Sequence, residues 1–334
     1  MWAGCYTADG GGPGTGIGAL GAAADGTLAW LGVVAGADSP SLLAVHPSLP
    51  VVYAAGEQSP DRTGVPPVRR IRPRAGRPGV AGGGSGVPRR RRSAGALLTV
   101  ACWGDGQVLL FELDHDGGLA ARFAAAASAA PGRPRRAHAS LMLADGRVMT
   151  TDLWHDLLRV WNYRPGHGLT LDHELTLPHG SGPRHLVQHS SGCVFVVTEY
   201  SIEVAVVQRS GEAGTYRLAG VGPATTAGAL AGDSAAEIAL SADGRYAYVG
   251  VRGSNRIGVL AVEADGTSLR PLADVPSGGD WPRHHLVRNG SLHVVHERSH
   301  DVVTFRLDPA SGLPGKPTGR VAVASPTALI PARI

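Results

Sequence analysis

"RHLVQHSSGCVFVVTE", Arg184 to Glu199, decides the fold. A short apolar run leads into a polar turn at Ser190–Gly192. A second run, rich in β-branched and aromatic residues, follows it. That is the sequence form of two paired strands. A charge stands at each end, Arg184 at the start and Glu199 at the close. The same form recurs in "SLLAVHPSLPVVYAAGE" (41–57), "HASLMLADGRVMTTDL" (138–153), "EIALSADGRYAYVGVR" (237–252) and "RHHLVRNGSLHVVHE" (283–297). "PTALIP" (326–331) opens one more unit.

The start points Ser41, His138, Arg184, Glu237, Arg283 and Thr327 are separated by 97, 46, 53, 46 and 44 residues. The long gap is two periods of about 48, which hides one start near residue 89. Further strands follow each hairpin, as in "DLLRVWNY" (156–163) and "DVVTFRLDPASG" (301–312). A period of about 40–50 residues with about four strands per unit marks a β-propeller. Seven periods account for the chain, so the expected fold is an all-β, seven-bladed β-propeller in one domain spanning 1–334. The last innermost strand is C-terminal and its outer strands must come from the N-terminus. Such closure leaves no long exposed sheet edge.

The net charge of +4 misleads. Ten of the 31 Lys and Arg residues lie between Arg62 and Arg92, where Asp and Glu are absent, leaving 21 against 27 Asp and Glu elsewhere. No aromatic residues interleave with these arginines to stack bases, so nucleic acid is not an expected partner. Residues 60–94 read as an irregular Arg/Gly/Pro-rich segment interrupting the second blade. Consecutive arginines cannot form a buried inner strand. The segment is either a surface excursion or, in residues 64–93, the product of a wrong reading frame. No run of about eighteen apolar residues suggests a membrane helix. The N-terminus lacks the pattern of a secretory signal. Cys5, Cys102 and Cys193 are scattered, without disulfide or metal-ligand spacing. A cytoplasmic monomer without cofactor or metal is expected.

In a propeller the innermost strands run the same way. The start of the first strand and the end of the second therefore share one mouth of the channel, a hairpin of about five to six residues each way. This geometry gathers Arg184, Arg252 and Arg283 with Glu57, Asp152, Glu199, Glu237 and Glu297, and adds His138, His185 and His284, with His155 and Asp156 in the next turn. Guanidinium groups suit two-point binding of carboxylate or phosphate. The same charges also suit ion pairs that tie blades together.

The combination of "GCYTADGGGPGTGIG" (4–18), "DLWHD" (152–156), "GPRHL" (182–186), "SAAEIALSADGRYAYVGVRG" (234–253) and "WPRHHLVRNGSLHVVHERS" (281–299) resembles the seven-bladed lactonase family. That family includes bacterial 6-phosphogluconolactonases and fungal carboxymuconate cyclases. The resemblance covers most of the chain outside about 60–94. It implies catalytic roles for His138, Arg184, Glu199 and Arg252, and the channel-mouth geometry adds Arg283, His185, Glu237 and Glu297 as substrate-binding residues. The chain departs from the family pattern in four places. Arg136 replaces the first histidine of a His-x-His pair, and Trp154 replaces a glycine. Val251 precedes Arg252 where the family shows Asn, and His296–Glu297 stands for Asn-Gln.

The resemblance implies opening of a sugar lactone, phosphorylated or not, by water and without metal. His138 or Glu199 would act as general base and an arginine as oxyanion partner. The expected partner is a small anionic lactone or carboxylate. Two alternatives belong to other classes: a lactonising or isomerising enzyme acting on a muconate-type polycarboxylate, and a non-catalytic propeller that binds partners.

Overall fold

The recurring hairpins form as the sequence predicts. The computed structural model describes residues 1–23, 26–57, 68–71, 96–125, 135–211 and 214–332. Among them are seven antiparallel sheets. The first holds Pro40–Val45, Val52–Gly56 and Val68–Ile71, and the second Leu97–Ala101, Val108–Leu113 and Leu119–Ala125. The other five have four strands each. The third, fourth, fifth and sixth open with Ala137–Met142, Pro183–Gln188, Ser234–Leu240 and Pro282–Arg288. In the seventh, the C-terminal strand Pro326–Ile330 pairs with Trp2–Cys5, followed by Ile17–Ala22 and Leu28–Ala35. The expected closure by N-terminal strands is therefore present.

These sheets divide between two compact units. One comprises Met1–Val87, Asp114–Gly118 and Pro276–Ile334, with the first, sixth and seventh sheets. The other comprises Pro88–Leu113 and Leu119–Val275, with the second to fifth. The innermost strand expected near residue 89 lies outside the described residues, as does most of the 60–94 segment. One part of that segment is described: Val68–Ile71 pairs with Val52–Ala55 as the third strand of the first sheet. Arg69 reaches Asp38 at 3.5 Å, and Arg70 donates to the carbonyl of Asp116.

The continuous apolar runs have a packing reason. In Val194–Thr198 successive side chains face opposite neighbours. Val194 and Val196 pack with Met149, Leu158 and Val160 of the third sheet. Phe195 and Val197 pack with Ile238, Val249 and Leu260 of the fifth. A strand buried on both faces needs no polar alternation, and each such side chain contributes about 1.5–3 kcal/mol. The other unit repeats this scheme: Leu20 and Leu329 of the seventh sheet pack with Val295 and Val302 of the sixth.

The sequence did not reveal a bulge at the opening of six innermost strands. In the fourth sheet Pro183 faces Thr198 and His185 faces Val197, so Arg184 is one residue in excess. Arg283 is the extra residue of the sixth sheet, Ser41 of the first and Thr327 of the seventh. In the third and fifth sheets the extra residue falls within His138–Ala139 and Ala236–Glu237. All six starts of the sequence repeat thus sit in bulges. A bulge interrupts the in-out alternation and re-aims a side chain. This is how polar residues open strands that are otherwise packed on both faces.

Candidate active site

The largest cluster of predicted residues joins the fourth and fifth sheets. Glu199 follows the second strand of the fourth sheet, and two arginines meet on its carboxylate. Arg184 Nε lies 3.0 Å from Oε2 and Arg252 Nη2 lies 2.9 Å from Oε1. Ser234 Oγ donates to Oε1 at 3.0 Å. Both guanidinium groups are also held by backbone. Arg184 Nη1 donates to the Ala236 carbonyl at 2.5 Å, and Arg252 Nη2 to that of Ala235 at 3.1 Å. Burial acts to raise the Glu199 pKa, but Arg184, Arg252 and the hydrogen bonds outweigh it, and the group sits below its ordinary value. An acid so held is a poor proton acceptor at neutral pH.

Next to Arg184 the bulge places His185, whose Nδ1 lies 3.0 Å from Glu237 Oε1. The carboxyl is buried, while the imidazole keeps 28% of its side-chain surface. Burial pushes the Glu237 pKa well above the ordinary carboxylate value, opposed by the charge of Arg184. Two carboxyls that both feel the charge of Arg184 therefore shift in opposite directions, and such divergence is characteristic of acid/base sites.

His138 lies half-buried at the bulge of the third sheet. Its neighbourhood holds a pair that sequence reasoning left out of the site. Asp152, fully buried, lies 3.1 Å from His155 Nδ1 and 2.7 Å from Arg159 Nη1. Thr151 links this sheet to the next: its Oγ1 accepts from Ala139 N at 3.0 Å and donates to the Arg184 carbonyl at 3.1 Å. The Asp–His spacing of three across a turn was a usable signal in "DLWHD".

In the other unit Arg283 has its own partners. Its Nη2 lies 3.0 Å from Glu57 and also donates to the Tyr6 hydroxyl, while Nη1 lies 3.6 Å from Glu297. Tyr6 in turn donates to Glu57. Burial raises the Tyr6 pKa above its usual range; Arg283 opposes this and Glu57 reinforces it. The adjoining Trp281 has a positive φ of 67° before Pro282, under the guanidinium of Arg298 at 3.3 Å. Nearby, His296 connects Asp301 Oδ1, at 2.8 Å, to Ser277 Oγ, at 3.1 Å. The order of groups is that of a hydrolytic triad, but Ser277 and His296 have no exposed surface. A nucleophile must meet its substrate, so this triad acts as a buried tie.

Among the described residues no group of three His, Cys, Asp or Glu side chains could hold a metal ion. Nor, among the described residues, is any helix long and apolar enough to cross a membrane.

Comparison with known proteins identifies the family. The family described as "Lactonase, 7-bladed beta-propeller" matches residues 1–331. The 6-phosphogluconolactonase of Bacillus subtilis (strain 168) is 28% identical over 244 residues, covering 70% of this chain and 68% of the relative. A crystal structure of a protein from Lactobacillus plantarum superimposes with a TM-score of 0.83 at 24% identity, covering 98% of this chain and 97% of that one. A periplasmic gluconolactonase of Pseudomonas aeruginosa gives 0.78 at 24%, with the same coverage of both chains. Both structural likenesses concern the fold. The match across nearly the whole sequence, with seven sheets closed by the N-terminal strands, means that the chain belongs to the seven-bladed β-propeller lactonase family.

Proposed function

We propose that the protein opens a sugar lactone with water, using His185 as general base. The observation that carries this reading is the His185–Glu237 pair, half-exposed at the imidazole and buried at the carboxyl, beside Arg184. At a pH above its raised pKa, the Glu237 carboxylate accepts from Nδ1–H, which leaves Nε2 to take a proton from water. The water oxygen bonds to the lactone carbonyl carbon, and the positive charge of Arg184 stabilises the oxyanion. Protonated His185 then gives its proton to the ring oxygen as the C–O bond breaks, leaving a hydroxy acid. In this reading Glu199 fixes Arg184 and Arg252 in place. His185 replaces it as base because Glu199 is bound by two guanidinium groups and its pKa is lowered.

None of these steps calls for a metal. The name of the 28%-identical relative supports a sugar lactone over other esters. The reading also takes the substrate as small and the working protein as a monomer, with neither nucleic acid nor membrane as partner. A cytoplasmic location fits three buried free thiols, of which Cys5 and Cys102 are pushed up to about 12 by burial.

The test is acid release from a panel of gluconolactone, 6-phosphogluconolactone and muconolactone. A His185→Gln variant should lose about 10²–10⁴-fold in kcat, the usual value of a general base. Wild-type kcat in that variant would refute His185 as the base. Isomerisation of muconolactone without acid release would move the chain to the lactonising class.

A further inference from the structure

Arg136 differs from the other arginines at the strand openings. Its guanidinium lies between two indoles, 4.3 Å from the ring centroid of Trp103 and 4.4 Å from that of Trp154. Nη1 donates to the carbonyls of Trp103, at 3.1 Å, and Gly104. Among the described residues no carboxylate pairs with it, and Nη2 has no acceptor. Arg184, Arg252 and Arg283 each pair with a glutamate.

The stack is built rather than incidental. Gly106, at φ 72°, lets the Cys102–Gln107 turn press against the chain at Arg135, where a Cβ would come within 2.1 Å of the Arg135 Cβ and 2.9 Å of its Cα. The Arg136 backbone is pinned on both sides. Its N–H donates to Asp152 Oδ1 at 3.2 Å and its carbonyl accepts from Leu153 N at 2.9 Å. A planar guanidinium with both faces fixed and Nη2 without an acceptor among the described residues is pre-organised for an oxyanion. Two of the four departures from the family pattern, Arg136 for His and Trp154 for Gly, touch each other here. The two departures meet at the opening of a strand beside the fourth sheet, which carries Arg184 and His185.

We propose that Arg136, clasped by Trp103 and Trp154, is a specificity-determining subsite for an oxyanion group of the substrate, a phosphate monoester or a carboxylate. The proposal rests on the lactone reading only for the substrate that carries the group. The subsite leaves the chemistry to His185 and holds the far end of the molecule, so it acts on discrimination between lactones.

Two measurements test it in the intact protein. The first is calorimetric titration with inorganic phosphate and with 6-phosphogluconate, which needs no turnover. Arg136→Ala should weaken 6-phosphogluconate at least tenfold; Arg136→Lys, which keeps charge without the planar fork, and Trp154→Gly should fall between. Unchanged affinity in folded Arg136→Ala overturns the subsite. The second is kcat/KM for 6-phosphogluconolactone, a carboxylate-bearing glucarolactone and neutral gluconolactone. The preference for one anionic lactone over the neutral one should fall at least tenfold in Arg136→Ala, through KM, and whichever lactone shows the fall identifies the group. An unchanged preference overturns the subsite while leaving the lactonase reading intact. Phosphate binding lost in Arg136→Ala, with every lactone inert in the wild type, sustains the subsite and removes the reading.

Discussion

Arg184 and Arg136 stand at the openings of adjacent sheets, and their surroundings are opposite. Arg184 is buried, its charge answered by Glu199 and its Nη1 by a backbone carbonyl. Arg136 is half-exposed, held by two indoles and backbone, with no carboxylate among the described residues. One guanidinium is fixed by a carboxylate of the fold and acts on the reaction only as a nearby positive charge. The other is held by rings and carbonyls, without a carboxylate among the described residues. The difference teaches that an arginine at a strand opening carries no role by type or position. Its partners decide how it can act.

The comparison breaks most readily at Glu199. Glu199→Ala leaves Arg184 and Arg252 buried without their shared carboxylate, which should cost about 3–5 kcal/mol. Denaturant unfolding measures this, and a variant as stable as wild type would mean that these arginines do not depend on Glu199. Next in size is Gly182→Ala. Gly182 has a φ of 65°, and a Cβ there would come 2.4 Å from Tyr200 Cδ2. The backbone strain alone costs roughly 1–2 kcal/mol, so the midpoint should drop, and Gly182→Ala with Tyr200→Ala should recover the part due to the clash.

The two carboxyls of the site sharpen the contrast through pH. Glu199 has a lowered folded pKa, so its contribution is present above the unfolded value of about 4.3 and is lost as pH falls through the folded one. Glu237 has a raised folded pKa, so its contribution is full below about 4.3 and is lost as pH rises through the folded value. Wild type minus Glu199→Gln should therefore gain stability with pH, below about 4.3, and wild type minus Glu237→Gln should lose it, above about 4.3. Difference curves of equal sign would contradict this pairing. The smallest effect belongs to Arg136→Lys, which keeps a cation over the indoles and should shift stability by less than about 1 kcal/mol. A larger loss, read by thermal melting, would make the stack structural.

Much of the fold was legible because hairpins are local. Apolar runs, Gly-containing turns and a repeat near 48 residues fix which strands pair, though not the bulges that shift the register at Arg184 and Arg283. The strand at Val68–Ile71 was not legible, since arginine-rich sequence gives no period-two signal; Arg69 and Arg70 are accommodated by Asp38 and the Asp116 carbonyl. The second blade's inner strand lies outside the described residues. For the site, charge type was legible and partnership was not. Arg184 and Glu199 were visible as a hairpin's two ends. That Arg252 would meet the same carboxylate depends on the neighbouring sheet. Asp152 and His155 were legible as neighbours of the mouth but not as a pair, and the Arg136 stack escaped notice because an aromatic clasp leaves no repeat.

The sequence by itself determined the seven-fold repeat, the closure by N-terminal strands and the residues at each strand opening, because these follow from spacing and hydrophobic pattern along the chain. Only the tertiary structure decided which charge meets which. Ion pairing, burial and bulges depend on distances between residues tens of positions apart. There, a few ångströms separate an arginine paired with a glutamate from one held by two indoles and backbone carbonyls.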